Sequence, residues 1–103
     1  MIEQLEKILN DGILEKISDI HFEPLEHRLR VRFRRDGFLY EYLKLEDSNI
    51  SLGEKIISRI KVLSDLNIAE KRLPQDGQFS FENIDFRVST CPTKWGEKIV
   101  LRL

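Results

Sequence analysis

The chain has 103 residues, of which 41% are hydrophobic and 34% charged, and its net charge is −1. This length suits one compact domain, and this composition excludes intrinsic disorder. A near-zero net charge also excludes a global field that attracts nucleic acid or acidic membranes. The sequence has no apolar run of about 18 residues, and charged residues interrupt Met1–Asn10, so neither a membrane span nor a signal peptide is predicted. We expect a cytoplasmic domain spanning residues 1–103.

Motifs that would support independent catalysis are missing from the sequence. There is no G-x-x-x-x-G-K-[ST], G-x-G-x-x-G or G-x-S-x-G pattern, so the usual phosphate cradles and the nucleophile elbow are absent. Cys91 is the single cysteine, and only His21 and His27 could add imidazole ligands. We therefore predict no catalytic residue, no disulfide and no metal site.

The first third of the chain predicts one helix, a short strand and a hairpin. Apolar residues recur at helical spacing from Ile2 to Ile17, and the stripe stays in phase across Gly12, which favours one helix. Alternation around Ile20–Phe22 predicts a short strand closed by Pro24. Residues 28–34 alternate arginine with apolar residues before Asp36-Gly37, which is typical of a strand and a type I′ turn. The resulting register places Phe33 opposite Tyr40, Val31 opposite Tyr42 and Arg32 opposite Glu41.

The rest of the chain predicts a second helix and three more strands. After a polar connection at 44–50, Ser51–Glu54 matches a capping box, and an apolar stripe extends to Leu66, so the helix should end near Asn67. A charged loop follows over 67–77, with an Asp-Gly turn signal at its end. Alternating residues predict a hairpin around Glu82-Asn83 that ends at Cys91-Pro92, a turn at 93–96 and a last strand. That strand reaches the terminus on an apolar residue, so we expect more protein after Leu103.

These elements predict an α+β fold. Short turns imply an antiparallel sheet of about six strands in two meanders, with two main helices on one side. We expect the overall arrangement to be PAS-like.

Two arginine features are candidates for function. The arginine ladder, Arg28, Arg30, Arg32 and Arg34, is either a docking face for an acidic partner, phosphate or single-stranded nucleic acid, or a solvated strand face balanced by Glu23, Glu26 and Glu41. Phe22 and Phe33 fall on the core phase of these strands, which argues against a base-stacking platform. Arg87 lies on the phase opposite Phe86 and Val88, so it is either an anion clamp or one half of a cross-strand ion pair. The loop at 70–78 is a connector by its composition.

Five stretches in the same order resemble the N2 domain of the type II secretion and type IV pilus assembly ATPases. They are Ser18–Pro24 (SDIHFEP), Arg32–Gly37 (RFRRDG), 58–63 with 68–77 (SRIKVL and IAEKRLPQDG), Phe86–Pro92 (FRVSTCP) and Gly96–Leu103 (GEKIVLRL). The resemblance covers about Leu5 to Leu103. It identifies the chain as a single N2-type domain that precedes a RecA-like motor domain.

The resemblance implies a regulatory and oligomer-forming role in a hexameric motor. The parent protein would bind ATP and Mg²⁺ and lie at the inner membrane against platform proteins, whereas this fragment would bind no cofactor and be inactive alone. N2 arginines approach the γ-phosphate of ATP in this family, and Arg87 matches one of them. Gln78 stands where the family often has a second arginine, which keeps a donor and loses the charge.

Two other functions remain open from the sequence. A curved sheet with flanking helices could be a free-standing PAS-like sensor of small ligands, which requires a void lined by Phe and Tyr side chains. The arginine ladder could instead bind nucleic acid, and salt-dependent binding to single strands would be the sign of it. We expect neither, and predict no nucleic-acid partner.

Overall fold

A computed structural model of the chain describes residues 2–45 and 50–103, with the side chains of 43–45 and 50 excluded. The helices are α1 (Glu3–Leu14) and α2 (Ile50–Leu63). The strands are β1 (Asp19–Leu25), β2 (Arg28–Arg35), β3 (Phe38–Leu45), β4 (Gln75–Phe81), β5 (Ile84–Thr93) and β6 (Gly96–Arg102).

The strands form one antiparallel sheet in the order β3-β2-β1-β6-β5-β4. Each half is a meander, and the two meanders join where β1 pairs with β6. The predicted α+β class, the six strands and the two meanders are therefore confirmed for the described residues. A PAS-like arrangement is not confirmed.

A single hydrophobic core lies between the helices and one face of the sheet. Both helices contribute side chains that are fully buried: Leu5, Ile8 and Leu9 from α1, and Ile56 and Ile60 from α2. The sheet contributes the apolar residues of its alternating strands: Ile20, Phe22, Leu29, Val31, Phe33, Phe79, Phe86, Val88, Ile99 and Leu101. Because the same face takes both helices, most polar residues of the strands lie on the opposite face; Thr90 and Glu97 are exceptions, buried on the helix side.

The first helix is continuous through Gly12, as predicted, but it ends at Leu14. Lys16 has a φ of 55°, and this left-handed residue turns the chain out of the helix. Ile17 is buried as the helical stripe predicts, although it lies after the helix. The helix is tied to the sheet by hydrogen bonds from Tyr42 Oη to Asp11.

The first hairpin confirms most of the predicted register. Positive φ angles at Asp36 (53°) and Gly37 (83°) make the predicted type I′ turn. Phe33 pairs with Tyr40 and Arg32 with Glu41, as predicted. Val31 pairs with Leu43 and not with Tyr42, because the register shifts between Val31 and Arg32. The prediction for Val31 was wrong because alternation does not reveal a β-bulge.

The second helix differs from its prediction at both ends. Ser51 lies inside the helix and not at its N-cap, so the capping box was wrong; residues 46–49 of the preceding connection lie outside the described residues. The helix ends at Leu63 and not near Asn67. A Schellman motif explains this end: Asp65 has a φ of 59°, its N–H bonds Val62 O (3.2 Å), and the Leu66 N–H bonds Lys61 O (2.8 Å).

Strands β1 and β5 both continue past the proline that was predicted to end them. Pro24 pairs with Leu29, and Pro92 pairs with Glu97. The β1–β6 register ends before Pro24 and the β4–β5 register ends before Pro92. Each proline therefore has a partner strand on one side only. Its missing N–H can face the unpaired side, so no ladder hydrogen bond is lost.

The second hairpin turns at Glu82-Asn83 as predicted, with φ angles of 53° and 62°. The Asp76-Gly77 pair was predicted to be a turn but lies within β4. A Cβ on Gly77 would stand 2.8 Å from the carbonyl oxygen of Ser64. Gly77 therefore permits a close approach between β4 and the end of α2, and it makes no turn.

Candidate anion-binding site on the polar face of the sheet

A row of polar residues crosses five strands on the face of the sheet opposite the helices. The pairing registers connect Gln78 to Arg87, Arg87 to Arg102, Arg102 to Asp19, and Asp19 to Arg34. Residues directly opposite each other on antiparallel strands point to the same face, with Cβ atoms about 4.5–5.5 Å apart. We call these five residues the polar row.

Arg87 and Arg102 are the exposed basic pair of the polar row. They are direct cross-strand partners on β5 and β6. Neither guanidinium group has a hydrogen bond or an ion pair with any of the residues that the structure describes. Like charges placed directly opposite destabilise a sheet, and an anion held between the two guanidinium groups would remove that cost.

The structure brings together the two site residues predicted from the sequence. Gln78 is exposed on the edge strand β4, directly opposite Arg87. The predicted cross-strand ion pair of Arg87 is not formed among the described residues, since its neighbours across the sheet are Gln78 and Arg102.

Sequence analysis missed Arg102 as the neighbour of Arg87. The signal was available in the turn predicted at 93–96: a two-residue connection pairs Thr93 with Gly96, and counting outward from it pairs Arg87 with Arg102. The last strand was treated only as a core strand, and its exposed arginine was not considered.

Asp19 occupies the centre of the row and is already bonded on several sides. Ser18 Oγ donates to its Oδ1 (2.7 Å), His21 Nε2 bonds its Oδ2, and Arg34 Nε lies 3.4 Å from Oδ2. Burial alone would raise the pKa of Asp19, but the bonds from Ser18 and His21 outweigh it, so its pKa is lowered. Burial lowers the pKa of His21, which Asp19 only partly offsets. Asp19 thus stays ionised beside Arg102 at neutral pH.

Two arginines of the ladder, Arg30 and Arg32, bond a second buried carboxylate. Glu23 accepts bonds from Arg30 Nε (2.9 Å), Arg32 Nε (2.8 Å) and Arg32 Nη2 (2.7 Å), and Lys98 Nζ lies 3.5 Å away. Burial opposes ionisation of Glu23, but the arginine bonds prevail and lower its pKa to about 2. The interpretation of the ladder as a balanced strand face is supported by these bonds. Phe22 and Phe33 are fully buried, as their phase predicts.

Two clefts of the described surface lack the Phe and Tyr lining that a small-ligand sensor would require. One cleft lies between α2 and the β5–β6 turn and the other at the end of α1, and neither is lined by Phe or Tyr. The aromatic side chains pack on each other instead. The ring centroids of Phe33 and Tyr42 are 4.3 Å apart, and those of Phe79 and Phe86 are 5.2 Å apart.

Residues 2–45 and 50–103 contain no group of three or more His, Cys, Asp or Glu side chains that could hold a metal ion. Neither α1 nor α2 is long and apolar enough to cross a membrane.

The fold and the polar row define a small α+β domain that buries one sheet face under two helices and presents unpaired arginines on the other. Comparison with known proteins gives its family. The profile of the family described as "Type II/IV secretion system protein" matches residues 1–103. The chain therefore belongs to the type II/IV secretion system protein family.

Curated relatives come from both branches of this family. The chain is 44% identical to the "Type IV pilus assembly ATPase PilB" of Myxococcus xanthus, with all of this chain and 19% of that protein covered. It is 48% identical to the "Type II secretion system protein E" of Pseudomonas aeruginosa, with all of this chain and 21% of that protein covered. The chain thus spans about a fifth of the length of these relatives.

A solved structure supports the fold. The structure described as the pilus retraction motor PilT with bound ADP matches with a TM-score of 0.63 at 16% identity, over all of this chain and 29% of that chain. At this identity the likeness concerns the fold alone. The resemblance stated from the sequence motifs is confirmed by the family match and by these relatives.

Proposed function

We propose that this chain is a non-catalytic regulatory and oligomerisation domain of a hexameric motor ATPase that drives protein secretion or pilus assembly. Membership of the secretion family and the names of the relatives support the kind of motor. The domain packs on a RecA-like motor domain of the same or an adjacent subunit, and the whole motor works in the cytoplasm against inner-membrane platform proteins.

The observation that carries the proposal is the unpaired cross-strand pair Arg87–Arg102. In the proposed assembly the motor domain binds ATP and Mg²⁺, and the polar face of this domain closes over the nucleotide. Two guanidinium groups side by side would then stabilise the negative charge on the γ-phosphate, as arginine fingers do. Gln78, on the other side of Arg87, would add an uncharged donor.

The chemistry of the domain explains why it would need the rest of the motor. The sequence has no P-loop lysine or Gly-rich cradle, so it can supply charge to a phosphate but cannot position the nucleotide. Catalysis would require this domain and the motor domain to meet in one closed site. ATP hydrolysis would then depend on the position of this domain.

The test uses the full-length ATPase with Arg87→Ala, Arg102→Ala and the matched control Arg59→Ala. Arg59 is an exposed arginine of α2, on the helix side of the sheet. We expect each polar-row variant to lower kcat by at least about tenfold with an unchanged melting temperature, because an arginine finger is worth about 10³–10⁵ in rate. Wild-type turnover in both polar-row variants would reject the proposal.

A further inference from the structure

The two exposed arginines of the polar row have different neighbours. Arg87 lies between Gln78 and Arg102, neither of which carries a negative charge. Arg102 lies between Arg87 on one side and Asp19 on the other. Residues directly opposite each other on antiparallel strands point to the same face, so the side chains of Arg102 and Asp19 extend side by side. A carboxylate therefore accompanies one arginine of the pair and not the other.

The Asp19 carboxylate has capacity for one more donor. An ionised carboxylate offers about four lone-pair sites. Among the described residues, Ser18 Oγ donates to Oδ1 (2.7 Å), and His21 Nε2 and Arg34 Nε (3.4 Å) both bond Oδ2. The remaining site is therefore on Oδ1. Because the Asp19 side chain is 12% exposed, the carboxylate is not sealed from the open face of the sheet.

The backbone around Asp19 is also held in place. The Ser18 N–H donates to the carbonyl oxygen of Arg34 (2.8 Å), and the Leu103 N–H donates to the carbonyl oxygen of Ser18 (3.2 Å). These bonds join the ends of β1, β2 and β6 at this point. Asp19 is thus a fixed negative charge, whereas the neighbouring Arg102 is exposed and its long side chain can adopt many rotamers.

Arg34 allows a carboxylate to lie beside a site for anions. Asp19 alone would repel a phosphate that Arg87 and Arg102 attract. Arg34 Nε lies 3.4 Å from Asp19 Oδ2, and Arg34 Nη1 donates to the carbonyl oxygen of Gly37 (3.0 Å). Asp19 and Arg34 together contribute no net charge to the row. The two positive charges of Arg87 and Arg102 remain for the phosphate.

We propose that Asp19 is a positioning residue of the anion site, which attracts the guanidinium group of Arg102 and limits the directions in which it points. This inference rests on the proposed function, because it assigns a role within the same site. Arg102 then meets the γ-phosphate with one edge of its fork of donors toward Asp19 and another toward the phosphate. A group oriented in advance loses less freedom when the site closes. Arg87 has no such support and is oriented by the phosphate itself.

NMR relaxation of the 103-residue chain tests the orientation of Arg102 without any nucleotide. We expect the Nε–H order parameter of Arg102 to exceed that of Arg87 by at least about 0.1 and to fall to the Arg87 value in Asp19→Asn. The control Glu23→Gln makes the same carboxylate-to-amide change on β1, where the carboxylate bonds arginines of β2, and should leave Arg102 unaffected. Equal order parameters for Arg102 and Arg87 in the wild type would overturn the proposal.

Steady-state kinetics of the full-length ATPase test the consequence for turnover. Asp19→Asn should lower kcat about tenfold and leave the KM for ATP unchanged, because it disturbs a contact made in the transition state. In the Arg102→Ala background it should lower kcat by less than about twofold, because the group that it positions is absent. In the Arg87→Ala background the loss of about tenfold should persist. Losses of equal size in the wild-type and Arg102→Ala backgrounds would overturn the proposal.

The two experiments separate this inference from the proposed function. Wild-type turnover in both Arg87→Ala and Arg102→Ala rejects the proposed function, and the order parameters then decide whether Asp19 orients Arg102. Slow turnover in both arginine variants with wild-type turnover in Asp19→Asn keeps the site and rejects the role of Asp19. If Asp19→Asn unfolds, the wild-type chain decides in about 1 M salt, where the excess order of Arg102 should vanish because the attraction is screened. An excess that persists in that salt would overturn the proposal.

Discussion

Lys61 on α2 and Glu97 on β6 form an ion pair, 2.8 Å from Nζ to Oε1, in which both side chains are almost completely buried. The same ammonium bonds the carbonyl oxygen of Glu70. One lysine thus connects a helix, a strand and the loop between α2 and β4. Among the described residues, α2 otherwise packs on the sheet through apolar side chains.

Removing one partner of this pair should destabilise the domain strongly, whereas replacing both partners together should not. Lys61→Met or Glu97→Leu alone leaves an uncompensated buried charge, so each should lower the free energy of unfolding by about 3–5 kcal/mol. The double variant removes both charges and should recover most of that loss. Urea unfolding of the four proteins measures the coupling. Additive losses in the double variant would contradict this account of the pair.

Glu23 should control the stability of the domain in acid. Its pKa is lowered from 4.5 to about 2 in the folded state, so its contribution is present above pH 4.5 and is lost as the pH falls toward 2. A shift of this size corresponds to roughly 3 kcal/mol at neutral pH. Glu23→Gln should therefore be less stable at pH 7 and should lose less stability between pH 5 and pH 2.

Melting temperatures of wild type and Glu23→Gln across that pH range test the prediction. The control is Glu26→Gln, because the Glu26 side chain is largely exposed and its Oε1 lies 3.6 Å from His27 Nε2. Parallel pH profiles for wild type and Glu23→Gln would contradict the prediction. They would show that the bonds of Glu23 with the arginines of β2 do not stabilise the folded domain.

Gly77→Ala should destabilise the domain although glycine is a poor strand residue. An added Cβ would stand 2.8 Å from the Ser64 carbonyl oxygen and 3.0 Å from Leu66 Cδ2. Ser64 lies within the Schellman motif at the end of α2, so the backbone of that motif holds its carbonyl group in place. We expect a loss of about 1–3 kcal/mol in the free energy of unfolding, as in overpacked sites.

Ser80→Ala on the same strand is the matched comparison, since Ser80 is exposed and bonds only Asp85 among the described residues. Ser80→Ala should lower the free energy of unfolding much less than Gly77→Ala does. A stabilised Gly77→Ala variant would mean that β4 can move away from α2.

The pair Arg87–Arg102 should reduce the stability of the isolated domain. Because the two exposed like charges are directly opposite and the other cross-strand neighbour of Arg87 is the uncharged Gln78, Arg87→Gln should raise the free energy of unfolding by a few tenths of a kcal/mol at low salt. The gain should shrink in about 1 M salt, where charges are screened within about 3 Å. Arg102→Gln should gain less, because Arg102 also faces the ionised Asp19. Denaturant unfolding at two salt concentrations measures both effects, and a loss of stability in Arg87→Gln would contradict this account.

Local patterns were sufficient for the elements of this fold. Period-2 alternation in residues 28–34 and 84–89 gave the strands and their buried faces, because a strand inside a two-layer domain must bury one side. The Asp36-Gly37 and Glu82-Asn83 turns gave the hairpins, since two adjacent residues with positive φ admit few alternatives. The five sequence motifs predicted the family, and that prediction did not depend on the arrangement of the sheet.

Local patterns failed where a distant contact decides the backbone. Pro24 and Pro92 remain in strands because the neighbouring ladder ends before each of them. Gly77 allows β4 to approach the end of α2 closely and does not form a turn. These choices depend on which strand lies beside which, and alternation along one strand carries no such information.

The sequence by itself determined the elements, the core faces and the family, because hydrophobic period and turn chemistry act over a few residues. The pairing of β1 with β6, which puts Asp19 beside Arg102, and the burial of Glu97 with Lys61 follow from tertiary packing alone. Residues 36 positions apart meet there because strand register and helix packing bring them together, and the energy of those contacts comes from burial that no local segment can achieve alone.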